Sequence, residues 1–458
     1  MEATDTATAL NRFGLGARPG DSLSADPHEA LLAALARPVP DAPAWAAQPG
    51  QAELLAAVQA LQAAQRLPDP EQRRDAATAQ RRVLRGFYDA AVHARLQTAL
   101  ASPEPFTERL VHFWSNHFAL SVGEAAITGL AGNFEAEAIR PHVLGRFEDL
   151  LLAAERHPAM LLYLNQAQSA GPGSAVALRA NARAGTARRG LNENLAREIL
   201  ELHTLGVRSG YTQQDVGELA LALTGWTVAG LRPGQDGAQA GFRFDAALHE
   251  PGARQVLGRT YADDGLAQGT AILRDLSGAP ATAQHLATKL ARHFAGDAPP
   301  APLVERLAHA FLRSGGDLPA VYRVLIASPE AWAAQPLKFK TPWEWLVSAL
   351  RALDRQDLSG TPAAALLDSL GQPVWRPGAP AGWDDTAATW AAPDALVRRV
   401  ELAQRLAARS AATLDARALA PQVLPGTLGP ATRAALARAE SPASALALLL
   451  VSPDFLRR

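Results

Sequence analysis

One polar helix face near the middle of the chain holds the densest group of side chains suited to acid–base chemistry. The segment 191–206 reads LNENLAREILELHTLG, and at about 100° per residue its polar side chains fall on a single arc. This arc contains Glu193, Asn194, Arg197, Glu198 and Glu201. When they face a cleft, neighbouring carboxylates such as Glu198 and Glu201 shift each other's pKa or bind a hard cation. On an exposed helix the same residues form only ion pairs, and the spacing leaves both alternatives open.

A second segment, 106–118, combines aromatic residues with histidines. Its apolar stripe contains His117, and the apolar side of the first segment likewise contains His203. Burying an imidazole without a hydrogen-bond partner costs on the order of a few kcal/mol. We therefore predict that His117 lies within hydrogen-bond reach, or one water molecule, of the 193–203 helix.

A turn and a helix start provide the remaining candidates. His249 and Glu250 share a turn, where a histidine is commonly solvated but could also swing over a neighbouring site. Thr212 and Asp215 have the spacing of a capping box, so a structural role is the stronger interpretation for Asp215. The predicted catalytic residues are Glu193, Glu198, Glu201, His117 and His203, and the predicted substrate-binding residues are Trp114, Asn116, Asn194, Arg197 and His249.

The residue types that are absent exclude several kinds of chemistry. The chain has no cysteine, so disulfides, iron–sulfur clusters and c-type haem are not expected. It also lacks the glycine-rich phosphate loops and the serine elbow of nucleotide-binding proteins and α/β-hydrolases. A divalent metal held by histidine and glutamate remains an alternative, and His112 and Asn116 have an i,i+4 spacing that suits two ligands.

Charge and hydropathy bear on partners and location. The 44 basic and 45 acidic residues leave a net charge of -1, which argues against binding to nucleic acid. No apolar run approaches the roughly 20 residues of a membrane span. The first residues lack the pattern of a secretory signal, so we expect a cytoplasmic protein, or an exported one if the true start lies upstream.

Most of the chain consists of helix-favouring residues, with Pro and Gly at short intervals. The elements that would position these side chains are therefore mainly helices. We predict an all-α fold with one large multi-helix domain over residues 1–458, a surface linker at 38–50 and a mobile loop at 166–190. A small β-hairpin insert is expected at 241–258, and a loop rich in Trp, Pro and Gly at 371–392. The predicted helices cover residues 27–36, 50–66, 70–101, 104–119, 132–140, 146–153, 192–205, 213–224, 265–275, 281–294, 302–313, 318–326, 341–353, 393–408 and 430–450.

Several of these motifs together resemble the bacterial family catalogued as domain of unknown function 1800. The resemblance is carried by residues 11–16 (NRFGLG), 113–118 (FWSNHF), 192–198 (NENLARE), 201–206 (ELHTLG), 210–213 (GYTQ) and 223–226 (LTGW), and by the turn at His249. The family turn usually reads His-Asp followed by Gly and Lys, where this chain has Glu250 and Arg254. The resemblance also implies a sulfatase-like protein encoded nearby as a partner.

Two classes of function are compatible with these observations. The first is a hydrolase-type enzyme that acts on a saccharide or another polar polymer through a carboxylate and histidine cleft, with or without a metal. The second is a non-catalytic partner or maturation protein that binds another polypeptide through the loops 166–190 and 371–392. Burial distinguishes the two, because charged side chains that converge inside the fold favour the enzyme and a broad exposed aromatic patch favours the partner.

Overall fold

The computed structural model describes residues 2–21, 26–40, 42–181, 190–231, 240–335, 337–355, 358 and 360–458. Most of these residues are helical, which confirms the predicted fold class. The α-helices are Glu2–Thr8, Pro27–Leu35, Pro43–Ala46, Gln51–Ala64, Pro70–Ala101, Pro105–His117, Ala125–Phe134, Phe147–Arg156, Pro158–Tyr163, Ala175–Asn181, Asn194–Glu198, Gln213–Leu223, Leu266–Ser277, Pro280–Ala295, Ala301–Ser314, Leu318–Ala327, Pro342–Ala352, Ala363–Ser369, Ala387–Trp390, Pro393–Ser410, Ala416–Val423, Pro430–Ala437 and Pro442–Leu450. Short π-helical turns occur at Ala9–Phe13, Glu135–Ile139 and Ile199–His203, and 3-10 turns at Arg140–His142, Gln166–Gln168 and Pro329–Trp332.

Local capping explains why several helices begin where the sequence predicts. The Asp69 carboxylate accepts a hydrogen bond from the backbone N–H of Gln72 at 2.7 Å, and Pro70 occupies the first helical position. The resulting helix Pro70–Ala101 matches its predicted bounds. A capping box formed by Thr341 and Glu344 starts the helix Pro342–Ala352 in the same way.

The single helix predicted at 430–450 is wrong. Two helices, Pro430–Ala437 and Pro442–Leu450, occupy this region. The break occurs because the Ser441 hydroxyl accepts a hydrogen bond from the N–H of Ser444 at 3.1 Å, and because Pro442 can begin a helix but cannot continue one.

Strands occur at both predicted positions, but each pairs with a strand that the sequence did not predict. Gly241–Phe244 pairs antiparallel with Trp226–Ala229, and Arg254–Val256 pairs antiparallel with Arg259–Tyr261. The predicted hairpin between residues 241–245 and 255–258 is therefore replaced by two separate two-stranded sheets. The buried strand Trp226–Ala229 directly follows a helix and does not show the alternating pattern on which the prediction relied.

One contiguous apolar core includes residues from Ala9 to Leu456. The predicted linker at 38–50 contributes to the packing, since it contains the helix Pro43–Ala46, whose Trp45 ring lies 6.4 Å from that of Trp375. Residues 182–189 of the predicted mobile loop lie outside the described residues. In the part of the chain that is described, no helix combines the length and the apolar character needed to cross a membrane.

Candidate functional site

A cavity of about 370 Å³ opens between the helices Pro105–His117 and Pro280–Ala295, the start of Pro342–Ala352 and the segment 372–385. This volume is in the range of small-molecule binding sites. Many of the residues that line it are charged or aromatic. They include Arg95, Arg109, His112, Phe113, Asn116, His117, Lys289, Arg292, His293, Trp343, Glu344, Trp375, Trp383, Asp384 and Asp385.

The helix Pro105–His117 presents its polar side to this cavity and its apolar side to the core. Asn116 and His117 lie in the cavity wall. Trp114, which the sequence suggests as a substrate-binding residue, is fully buried, and its indole N–H donates to the Tyr322 hydroxyl at 2.7 Å. The structure thus places Trp114 in the core, where its ring supports Phe118 and Phe147.

His117 joins the cavity to the 193–203 segment. Its Nε2 lies 3.1 Å from the backbone carbonyl oxygen of His203, and its Nδ1 lies 3.0 Å from the Lys289 ammonium nitrogen. The carbonyl oxygen can only accept, so Nε2 carries the proton and Nδ1 accepts from Lys289. Burial, followed by the charge of Lys289, lowers the pKa of His117 well below its usual value, in agreement with a neutral imidazole. The predicted contact between His117 and the 193–203 helix is confirmed.

A basic stripe on the helix Pro280–Ala295 forms the opposite wall. His285, Lys289, Arg292 and His293 are spaced so that they share one face of this helix. Burial lowers the pKa of Lys289 to about 8; the charge of Asp385 opposes this shift and that of Arg292 adds to it. Within the described chain, neither Lys289 nor Arg292 forms an ion pair with a carboxylate, so two positive charges face the cavity without a direct counter-charge.

This stripe is missed by the motif search, although the sequence contains a signal for it. Only three of the 44 basic residues are lysines: Lys289, Lys338 and Lys340. Lys338 and Lys340 are 1 % exposed, and Lys289 is partly exposed at the cavity. In a chain whose basic residues are otherwise arginine, all three lysines lie at buried or cavity positions, where an amine can lose its proton and a guanidinium cannot.

A buried ion network supports the cavity from behind. The Nε of Arg95 lies 2.9 Å from both carboxylate oxygens of Glu135, which also accepts from Ser115 at 2.6 Å and from the Trp375 indole at 3.0 Å. The π-helical turn Glu135–Ile139 begins at this glutamate. With four donor contacts, the Glu135 carboxylate is satisfied and holds one side of the cavity in place.

Glu344 forms a second buried centre in this network. Its carboxylate accepts from Arg109, from Arg458 at 2.7 Å and from the backbone N–H of Thr341 at 2.9 Å. Burial alone would raise the pKa of Glu344, but the charges of Arg458 and Arg109 outweigh it and hold that pKa well below its usual range. Glu344 is therefore an anion that neutralises buried arginines.

The loop 371–392 closes one side of the cavity and is fastened by Asn116. The Asn116 side chain donates to the backbone oxygen of Trp383 at 2.9 Å and accepts from its N–H at 2.7 Å. Gly382 has φ +83, and a Cβ atom there would lie 2.4 Å from the backbone oxygen of Asn116. Asp385 pairs with His293 at 2.8 Å and with Lys338 at 3.2 Å. Asn116, predicted to bind substrate, thus positions the loop beside the cavity.

The predicted carboxylate face lies apart from the cavity. The helix Asn194–Glu198 continues as the π-helical turn Ile199–His203, which changes the angular spacing on which the wheel relied. Arg197 lies 3.1 Å from Glu193 and 3.7 Å from Glu201, both partly exposed, and Asn194 is exposed. These residues and Glu198 are not among those that line the cavity.

Behind this face, His203 meets a carboxylate that the sequence did not single out. The Nδ1 of His203 lies 2.7 Å from an oxygen of Glu155, and both side chains are buried. Half-buried Glu198 is close by; its pKa is raised by burial, while the charge of His203 opposes the shift and that of Glu201 adds to it. The structure brings His203, Glu198 and Glu155 together, but none of the three lines the cavity.

His249 occupies another part of the fold. It is 8 % exposed, and its Nδ1 donates to the carbonyl oxygen of Thr224 at 2.8 Å. Its Nε2 lies 3.9 Å from Asp263. His249 does not line the cavity. Its turn packs against Thr224, and the positive φ of the next residue, Gly225, lets the two segments approach closely. Asp215 has the capping role that its spacing predicts.

No group of three or more His, Asp or Glu side chains within the described ranges is arranged to hold a metal ion. The closest imidazole and carboxylate, His203 and Glu155, supply only two ligands.

The comparisons with known proteins identify a family. The family model described as "Protein of unknown function (DUF1800)" matches residues 8–457. No curated protein and no solved structure matches the chain. The match covers the helices that form the cavity, the 371–392 loop and the buried ion network. The chain therefore belongs to the DUF1800 family.

Proposed function

We propose that this protein is an enzyme whose reaction takes place in the cavity, with Lys289 and His117 as its acid–base pair. The observation that carries the proposal is the 3.0 Å contact between the Lys289 amine and the His117 Nδ1 in a cavity wall where, among the described residues, the amine has no carboxylate partner. Ammonium groups held in carboxylate ion pairs do not exchange protons readily near neutral pH, whereas a lysine with a pKa of about 8 can.

The two partners of the imidazole define the direction of proton transfer. The His203 carbonyl oxygen holds the proton on Nε2, so Nδ1 accepts a hydrogen bond from Lys289 and orients the amine that exchanges protons with the substrate. Lys289 in its neutral form would remove a proton from water or from a substrate hydroxyl, and in its charged form would protonate a leaving group. Neither step needs a covalent bond to the enzyme.

The reaction class that suits this pair is hydrolysis of a bond in a saccharide or a similar polar compound. Half-buried Trp383 at the edge of the cavity offers a flat apolar face of the kind on which sugar rings stack. In this proposal Glu198 and Glu201 are not the acid and base, because the carboxylates at the cavity are Glu344, Asp384 and Asp385.

The alternative is a non-catalytic protein that binds another polypeptide, such as the sulfatase-like neighbour implied by the family resemblance. Such a protein would need an exposed aromatic surface on the loop 371–392. In this loop Trp375 and Trp390 are buried, and the backbone of Trp383 is fastened to Asn116. Charged side chains converge inside the fold instead, which supports the enzyme over the binding protein.

A screen of chromogenic glycosides and esters tests the proposal. We expect a substrate that is turned over by the natural chain and by Glu198→Gln but not by Lys289→Met. Turnover that survives Lys289→Met and is lost in Glu198→Gln would move the active site to the carboxylate face of the 194–203 segment.

A second readout does not depend on the substrate. An amine-reactive reagent followed by peptide mass spectrometry should modify Lys289 with a midpoint near pH 8 and should leave Lys338 and Lys340 unmodified, because both are buried out of reach of the reagent. Replacement of His117 by Phe removes the hydrogen-bond acceptor at Nδ1 and should shift that midpoint. An unchanged midpoint would show that the two groups do not share a proton.

A further inference from the structure

We infer that the substrate carries an anionic group, a carboxylate or a sulfate or phosphate ester, and that Arg292 binds this group with Lys289 beside it. The inference rests on the proposed function, because it assumes that the cavity is the active site. Arg292 lies three residues after Lys289 on the helix Pro280–Ala295, lines the cavity and is partly exposed to it.

Arg292 has an unused hydrogen-bond donor. Its Nε atom is buried and has no hydrogen-bond partner among the residues that the structure describes. A buried donor without an acceptor is destabilising, and a guanidinium is especially so because it remains charged. The positive charge of Arg292 also acts on Lys289, one turn away on the same helix face. An anion placed between the two side chains would pair with the partly exposed Arg292 guanidinium and relieve this repulsion.

The other cations of the cavity are already compensated. Arg109 pairs with Glu344, and Arg95 lies 2.9 Å from Glu135, both in buried contacts. These two arginines are therefore held by protein carboxylates and are not free to bind a ligand anion. Arg292 differs because no carboxylate in the described part of the chain pairs with it.

The acidic residues of the cavity are compensated as well. Asp385 is held by His293 and Lys338. Asp384 accepts hydrogen bonds from Thr386 at 2.9 Å and from Thr389 in its own loop. In the described part of the chain, the cavity cations without a carboxylate partner are therefore Lys289 and Arg292, and they define where an anion would lie.

The size and lining of the cavity indicate the rest of the ligand. About 370 Å³ holds a small organic molecule, and the aromatic residues Phe113 and Trp383 line this cavity together with Lys289 and Arg292. A sugar ring with one acidic substituent has both features, since its face stacks on an aromatic side chain and its charged group reaches the guanidinium.

Calorimetric titration of the full chain with sodium glucuronate, glucose 6-sulfate, glucose 6-phosphate and glucose at matched ionic strength tests the inference. We expect at least one anionic sugar to bind and glucose to bind at least about tenfold more weakly, as for loss of one charge-assisted hydrogen bond. Arg292→Gln should remove this preference, whereas the control Arg313→Gln, at an exposed arginine of another helix, should keep it.

The outcomes distinguish the three anionic groups (carboxylate, sulfate ester and phosphate ester), and they distinguish this inference from the proposed function. Binding of glucuronate alone, or of one ester alone, identifies the anionic group. Equal binding of glucose, absence of binding by all three anions, or unchanged affinity in a folded Arg292→Gln variant would overturn the inference. Failure of the proposed function gives a different result. In that case Lys289→Met would keep its turnover, while Arg292→Gln would still lose its affinity for the anionic sugar.

Discussion

Two polar regions meet at His117, and they differ in how their charges are balanced. On the 194–203 segment, Arg197 lies between Glu193 and Glu201 on a partly exposed face. In the cavity, Lys289 and Arg292 face an enclosed space without ion-pair partners among the described residues. Exposed charges that pair with each other contribute little to the free energy of folding. Enclosed charges without a partner are destabilising unless a ligand pairs with them. The difference teaches that the density of charged residues is a weaker guide to a site than their lack of partners.

The largest expected effect separates the two regions by activity. Lys289→Met should lower kcat/KM by about 10²–10⁴-fold, the usual contribution of a general acid–base group, whereas Glu201→Gln should leave it little changed. Steady-state kinetics on the substrate found in the screen measures both. Lys289→Arg is the matched control, because it keeps the positive charge but cannot give up its proton. If Lys289→Arg retained full activity, the role of the side chain would be electrostatic only.

The second effect compares the stability of the ion pairs in each region. Glu344→Gln leaves Arg109 and Arg458 buried without their counter-charge and should lower the free energy of unfolding by about 3–5 kcal/mol. Glu201→Gln removes a partly exposed pair and should cost less than about 1 kcal/mol. Urea denaturation measures both values, and equal costs would contradict the distinction between a supporting network and a surface face.

The third effect concerns the loop that closes the cavity. Gly382→Ala forces a side chain into a positive φ and against the Asn116 carbonyl, and should cost about 1–3 kcal/mol. Gly378→Ala in the same loop meets no atom within 4 Å and has no positive φ, so its stability should be nearly unchanged. If Gly382→Ala weakened ligand binding in the cavity and Gly378→Ala did not, the loop would be part of the site.

The smallest effect is a pH dependence of anion binding in the cavity. Lys289 is protonated below its pKa of about 8, so the affinity for an anionic sugar should be highest below pH 8 and fall by about tenfold as the pH rises through it. Glu198, whose pKa is raised by burial, does not line the cavity and should not contribute to this change. Titrations at pH 6.5 and 9.5 measure it, and an affinity that did not fall would argue against Lys289 as an anion ligand.

Much of the secondary structure follows from the sequence because its causes are local. The cap at Asp69, the proline after it and the helix-favouring run to residue 101 are neighbours in the chain, so the helix bounds are predictable. The mainly helical fold class and the contact of His117 with the 193–203 segment also follow, since a buried imidazole must find a partner. The Trp226–Ala229 strand was missed because its pairing depends on residues beyond a long connection.

The composition of the candidate site was decided by tertiary packing. The sequence alone placed the carboxylates of the 194–203 segment on one face, but a π-helical turn and the partners of each side chain determine what that face does. Glu155 is separated from His203 by 48 positions and Lys289 from His117 by 172, so neither contact has a local signature. The three lysines of an arginine-rich chain were visible from the start, yet their significance depends on burial. A sequence records which charges exist, whereas only the folded chain determines which of them are left without a partner, because ion pairing acts through space and not along the backbone.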